Sequence, residues 1–312
     1  MFITSVLALL LINFNVYAND IDTLRIRINT SNKKLEQAFN WAVDMALSHV
    51  QTGKSGVIDS WEKGEGSGNV AYIPCYWGGY NSRTAFYSRD ICHQVVGGHL
   101  LNLSIKHITF TCGQEIKITS KTKSFGIITH ELLTSLSPCT THAYPARSYL
   151  PETFFNNNRI EQGWKWMEDI INNIDIEFPV SKTTGDGNYP EISFVLVSNI
   201  VEGLMGVEPD APEQKLASIP RLPAAIPDLT VKNIRIGNAF FTLSHSGSKK
   251  SVLNYQSGEI NFTWEVRFYG EYPVIRVNGK AKQAQHKEQN GIKISYITEE
   301  IKVGETIETT ID

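Results

Sequence analysis

Apolar residues return at Leu35, Ala38, Phe39, Ala42, Val43, Ala46 and Leu47. That i, i+3, i+4 spacing gathers them on one face of an α-helix over residues 35–50, and Asn32 stands where a side chain can accept from the first unpaired N–H groups. The same period predicts a helix over 89–103, carried by Ile91, Val95, Val96, Leu100, Leu101 and Leu103, with Ser88 as its N-cap. Further helices are predicted over 124–136, 160–174 and 190–205, the last opening on Pro190, where the first turn has no N–H bond to lose. Between them, residues 53–68 hold five glycines and mixed charge, and read as a long exposed loop. Residues 105–122 alternate apolar and polar through Ile105, Ile108, Phe110, Ile116 and Ile118, which predicts a hairpin turning at Cys112, Gly113 and Gln114.

The period changes in the last third of the chain. Five prolines between 207 and 227, including those of Pro220-Arg221-Leu222-Pro223, stop helices and read as an interdomain linker. Beyond it the alternation is of period two, over 229–236, 239–244, 251–255, 260–268, 273–277 and 292–297. Turns such as Ile236-Gly237-Asn238 and Val277-Asn278-Gly279 separate these segments. Short strands at close spacing predict an antiparallel β-sandwich or half-barrel. The fold class is therefore mainly α and then β, with a helical domain over 19–223 and a β-sandwich over 224–312.

Residues 1–18 change the picture of where the protein works. An apolar run from Val6 to Ile12, ending at Val16-Tyr17-Ala18, reads as a signal peptide, although its n-region lacks Lys and Arg. No stretch approaches the roughly 18 uninterrupted apolar residues of a membrane span. A secreted or periplasmic protein, off the membrane after cleavage, is expected. The 29 basic and 32 acidic residues nearly balance, and no basic cluster falls on a predicted helix, so nucleic acid is not the expected partner. A neutral or weakly charged ligand fits this composition. The four cysteines, Cys75, Cys92, Cys112 and Cys139, allow one or two disulfides in three connectivities, with free buried thiols as the alternative.

Two stretches could carry chemistry. Residues 72–80 are dense in aromatics, with Trp77 and Tyr80, and run on into Tyr87, Arg89, Asp90, His93 and Gln94. Flat rings suit the C–H faces of sugars, while Arg, Asp, His and Gln supply the directed hydrogen bonds that hydroxyls require. The plainer alternative puts Trp77 and Tyr80 in the core and pairs Arg89 with a carboxylate at a helix start, where Asp90 also suits the helix dipole. The second stretch carries Glu152, then Glu161, Trp164 and Lys165. Glu161 and Lys165 stand at i, i+4, the spacing of a solvated bridge, and Trp164 suits the core. Glu191 begins the last helix, and Glu202 lies among apolar neighbours, as a buried and paired acid would. Glycoside hydrolysis needs two carboxyls, about 5 Å apart for retention or about 6.5 to 9.5 Å for inversion. Asp90, Glu152, Glu161 and Glu191 form the pool. No G-x-S-x-G elbow and no H-E-x-x-H pair occurs, which leaves serine-hydrolase and zinc-peptidase chemistry unsupported, and no metal site is expected.

Several of these runs resemble bacterial six-hairpin glycosidases of the α-L-rhamnosidase-like group. They are Ala38-Phe39-Asn40-Trp41-Ala42, Ala85-Phe86-Tyr87-Ser88-Arg89-Asp90 with His93-Gln94, Gly97-Gly98-His99-Leu100-Leu101, and Glu161-Gln162-Gly163-Trp164-Lys165-Trp166-Met167. The exit over 201–212, with Pro220-Arg221-Leu222-Pro223, belongs to the same likeness, which covers about 30–105 and 145–280. The resemblance implies an (α/α)6 toroid with the sugar at its wide end, a C-terminal β-sandwich and no cofactor. It also implies that Arg89 and Asp90 line the sugar pocket, with Asp90 as an acid. The five predicted helices fall short of a complete ring, and 106–148 has room for at most three more at about 15 residues each with connections. An incomplete toroid is therefore expected, one that oligomerises if the uncovered apolar faces need cover. The rival expectations are a carbohydrate-binding remnant without turnover, a non-functional scaffold, and a polysaccharide lyase using Tyr87, His93 or Tyr144 as its base.

Overall fold

A computed structural model describes residues 25–48, 50–51, 55–57, 69–71, 75–76, 94, 96–101, 148–174 and 190–312. The predicted signal peptide, the hairpin at 105–122 and the helix at 124–136 lie outside the described residues, as do the cysteine pairings. No described helix is long and apolar enough to cross a membrane.

The chain enters through a short strand, β1 (Arg27–Asn29), and the helix α1 (Lys33–Ser48). Asn32 caps α1 as its position predicts, accepting from the Leu35 N–H at 3.0 Å, an interaction that contributes about 1 kcal/mol. The predicted stripe is the buried one: Leu35, Ala38, Phe39, Ala42, Val43 and Ala46 all face inward. The helix stops two residues early, because Val50 belongs to a strand. β2 (Val50–Gln51) pairs with β5 (Cys75–Tyr76), and β3 (Ser55–Val57) pairs with β4 (Asn69–Ala71). The glycine-rich stretch is thus not loop throughout. Residues 96–100 are helical, and α2 (Leu150–Asn156), α3 (Ile160–Asn172) and α4 (Pro190–Ser198) follow. The described helices do not make up a toroid.

These helices pack by close approach. Phe155 of α2 is fully buried, and its ring lies against Gly163 of α3 and Gly203: a Cβ at either glycine would stand 2.7 or 2.8 Å from ring carbons. At Gly97 the 96–100 helix meets α4 backbone to backbone, with room for no side chain against the Phe194 carbonyl. Beyond Ser198 the helix predicted over 190–205 changes its winding, and Asn199–Leu204 form a π-helical turn. Its end is tied by Met205 N–H to the Ile200 carbonyl at 3.1 Å. Such π turns recur at functional sites.

Two sheets make up the rest. The first has seven strands in the order β1, β8 (Asp228–Ile236), β9 (Ala239–Ser246), β10 (Lys250–Ser257), β16 (Thr306–Thr310), β12 (Val274–Val277) and β13 (Lys280–Gln283). The second has five, β14 (Gln285–Gln289), β15 (Ile292–Ile301), β11 (Phe262–Tyr269), β7 (Lys215–Ser218) and β6 (Glu208–Asp210). Alternating burial along β9 and β10 places Phe241 and Tyr255 on the inner face, where they meet Phe262 of the opposite sheet with ring centroids 5.0 and 5.7 Å away. The predicted alternation is therefore that of a half-buried sheet, with strand ends shifted by a few residues.

Two expectations need correction. The proline-rich segment is not a linker: it supplies β6 and β7, and Leu216, Ala217 and Ser218 are buried. Pro209 is tolerated because β6 is the edge strand of its sheet. Nor is the β region purely antiparallel, since β7 runs parallel to β11. Strand β1, from before the helices, pairs with β8. Thr30 donates its hydroxyl to the Asp228 carbonyl at 2.7 Å, and Asn32 donates to the Ala225 carbonyl at 3.3 Å. Among the described residues one hydrophobic core runs from α1 through α3 and α4 into both sheets.

Candidate functional site

Glu202 sits in the π-helical turn, among Ile200, Val201, Gly203 and Leu204, all buried. An apolar turn that must pack on the core takes its one acid with it. Burial is the largest influence on that carboxyl, followed by repulsion from Glu152 and Glu208, and together they push its pKa up to about 8 against the opposing charge of Arg221. Glu202 is therefore mostly protonated at neutral pH. Glu152, in the first turn of α2, is raised as well, by burial first, with Arg221 again opposing. Its side chain nonetheless remains solvent-exposed. A carboxyl that keeps its proton at neutral pH, near an accessible second carboxyl whose charge helps it to do so, is the arrangement of an acid–base pair.

Arg221 holds this arrangement from the β side. Only 5% exposed, it donates from its Nη1 to the Glu202 and Gly203 carbonyls at 3.0 and 3.4 Å, and from its Nε to the Tyr269 hydroxyl at 3.1 Å. The Tyr269 hydroxyl in turn donates to the Phe155 carbonyl of α2 at 3.5 Å. Next to it, Arg267 binds Glu208 at 2.6 Å and Glu265 at 2.5 Å, and Lys287 binds Glu265 at 2.6 Å. Burial disfavours the Glu265 charge, yet the hydrogen bonds from Lys287 and Arg267 outweigh it and lower the pKa. Asn156, Glu208, Arg221, Arg267, Tyr269 and Gln289, with three isoleucines, line a small depression, partly open to solvent, with room for about one water molecule; neither Glu152 nor Glu202 is part of its lining. Among the described residues no group of three or more His, Cys, Asp or Glu converges to hold a metal ion.

The residues expected from sequence are distributed unevenly. Glu152 is part of the cluster. Glu161 is not: it is exposed and accepts from the Ala224 N–H at 2.9 Å, tying the start of α3 to the proline-rich turn. Trp164 is buried in the common core and Gln94 is completely enclosed. Asp90, Trp77, Tyr80, Tyr87, Arg89, His93 and Tyr144 lie outside the described residues, as does the side chain of Glu191. Sequence reasoning left out Glu202 as a site residue, along with Arg221 and Tyr269. The signal for Glu202 was available, because an acid inside an apolar helical run must either pair or hold its proton. Nothing local in the sequence marks Arg221 or Tyr269, which meet only through the folding of β11 beneath the π turn.

A second buried polar group serves structure. His245 Nε2 donates to the Met205 carbonyl at 3.0 Å, which leaves Nδ1 to accept from the Ser251 hydroxyl at 2.9 Å. Burial lowers its pKa to about 4 despite the bond to Met205, so the ring is neutral. The Ser251 hydroxyl is fully buried, without access for a substrate.

No family model matches this chain, and no curated protein matches it. Among solved structures it is similar to a candidate kojibiose phosphorylase from the human microbiome, at 12% identity and a TM-score of 0.31 over 49% of this chain and 18% of that one. It is also similar to an α-L-rhamnosidase from Dictyoglumus thermophilum, at 12% identity and 0.30 over 44% and 15%. A GH127 β-arabinofuranosidase follows at 13% and 0.24, over 42% and 23%. The chain spans less than a quarter of the length of each of these proteins. All three are carbohydrate-active, and likeness at this level leaves the chemistry of this chain to be argued from its own residues.

Proposed function

We propose that the protein binds oligo- or polysaccharide and hydrolyses O-glycosyl bonds, with Glu202 as the proton donor and Glu152 as the second carboxyl. In this reading the helical part of residues 19–223 is an incomplete (α/α)6 toroid, exported behind a signal peptide at 1–18, and the sandwich over 224–312 takes in strands β1, β6 and β7 as well. The observation that carries it is the pairing of a half-buried Glu202, protonated at neutral pH, with an accessible Glu152 beside one guanidinium. A glycosidic oxygen needs such a donor to leave, and the second carboxyl serves as nucleophile or activates water. The Arg221 charge favours ionisation of both carboxyls, and the more accessible Glu152 is the one suited to act as carboxylate. Trp77, Tyr80, Tyr87, Arg89 and His93 are assigned to sugar binding on their residue types alone, and Asp90 and Glu191 remain carboxyl candidates on the same ground.

The test is hydrolysis of a panel of aryl glycosides and oligosaccharides by the full chain and by Glu202→Gln, Glu152→Gln and Asp90→Asn. Loss of turnover by about a hundredfold or more in the first two supports the assignment. Loss in Asp90→Asn with the other two unchanged overturns it in favour of Asp90. A folded parent that binds sugar in calorimetry but releases none is a binding protein, and an ultraviolet-absorbing unsaturated product marks a lyase.

A further inference from the structure

The two glutamates of the proposed site stand on separate elements, α2 and the π turn, which meet directly where the Phe155 ring lies against Gly203. A pair of side chains from elsewhere also spans them. Arg221, from the proline-rich segment, fixes the π turn through the Glu202 and Gly203 carbonyls. Tyr269, at the end of β11, accepts from Arg221 and donates to the Phe155 carbonyl, three residues after Glu152. Both ends of the bracket are hydrogen bonds to backbone carbonyls near a carboxyl, so it positions main chain, while the carboxyl groups meet it only through the charge of Arg221. Phe155 completes the contact, its ring lying between Gly163 and Gly203, so a shift of α2 is felt at the π turn.

We propose that Arg221 and Tyr269 are positioning residues through which the β region sets the separation of Glu152 and Glu202. This rests on the carboxyl pair of the proposed function, but not on its turnover. Arg221 is suited to the role: a planar fork with several fixed donors can hold two successive carbonyls and a hydroxyl at once, which the single ammonium of lysine does poorly. Its burial means that water is a poor substitute for any bond it loses.

Tyr269→Phe leaves every charged group unaltered, so a change in carboxyl titration in that variant reports geometry and not a missing cation, whereas Arg221→Lys keeps the cation and alters its position. Glu202 is faced by Glu152, Glu208 and Arg221, all retained or charge-matched in these variants. The measurement is a ¹³C NMR titration of glutamate carboxyls in the full chain, with Glu202→Gln and Glu152→Gln assigning the two signals. Release of the bracket lets the π turn move away from α2 and take up water, so the Glu202 midpoint is expected to fall by about one pH unit or more in both variants. A midpoint unmoved in folded Tyr269→Phe overturns the proposal; if that variant does not fold, an unmoved midpoint in Arg221→Lys does so. Glycosidase assays on the parent are read separately: an inactive parent with a shifted midpoint defeats the proposed function and leaves the bracket standing.

Discussion

In the sandwich, Phe241 stacks on Tyr255 with ring centroids 4.5 Å apart, and both meet Phe262 across the sheets. In the helical layer, Phe155 lies instead against two glycines, and α4 meets the 96–100 helix at a third. The first region closes its core by fitting large side chains to one another, the second by removing side chains so that backbones approach. Buried polar groups differ in the same way. His245, Ser251 and Thr309 form a paired chain within the first sheet, and Trp264 donates to the Ser218 hydroxyl at 3.0 Å. In the helical layer Glu202 is half-buried among apolar neighbours near two other acids, and is accommodated by keeping its proton. In the sheets His245 is neutral and Glu265 is paired, and the acid held against two others lies at the seam where the helices meet the sheets.

That contrast can be broken at its strongest point by Phe241→Ala, which is expected to cost about 3–5 kcal/mol in chemical denaturation by leaving a cavity in a fully packed cluster. Gly203→Ala should cost about 1–3 kcal/mol by overpacking against Phe155. Only the second should also displace the Glu202 titration. Equal effects of the two variants on Glu202 would mean that the seam is not a separate electrostatic unit.

A subtler difference lies in pH. His245 titrates at about 4 folded and near 6.5 unfolded, so the unfolded chain binds the extra proton in that window and stability rises with pH across it. Glu202 has the opposite sign. Its pKa is about 8 folded and near 4.5 unfolded, so the folded chain keeps a proton that the unfolded one has lost, and stability falls as pH rises from 4.5 to 8. The two oppose each other between 4.5 and 6.5. Above 6.5 the Glu202 contribution is left, with a slope of about −1.4 kcal/mol per pH unit that fades near 8. Urea denaturation from pH 6.5 to 8 should show this decline in the parent and lose it in Glu202→Gln. A decline that survives the substitution would place the proton on another group.

The smallest effect is expected at Glu161. Glu161→Gln retains the carbonyl oxygen that accepts from Ala224, so stability should change by no more than about 0.5 kcal/mol and turnover should be unaffected. A marked loss of turnover would return Glu161 to the acid–base pair.

Much of the fold was legible because it is local. The stripe of α1 and its Asn32 cap, the burial of Phe241 and Tyr255 by alternation, and the turns at Gly237 and Asn278 each depend on residues a few positions apart. The proline-rich segment misled because its composition signals a break in helix equally well whether the chain then wanders or joins a sheet. Leu216 and Ala217 are buried by β11, about 50 residues further on, and no short window contains that fact. Of the candidate site, Glu152 was named from its residue type, whereas Glu202 was set aside as a buried, paired acid.

By itself the sequence determined where chain can be helix or strand, which face of each element is apolar, and that no large charge imbalance is available to recruit a charged partner. Those properties follow from periodicity and composition. Tertiary structure alone decided that β1 joins β8 and that the proline segment supplies β6 and β7. It also decided that Arg221 and Tyr269 meet between the two glutamates. The physical reason is range: hydrophobic pattern acts over one or two turns of chain, whereas a carboxyl's proton affinity depends on burial and on charges brought near it from anywhere in the fold.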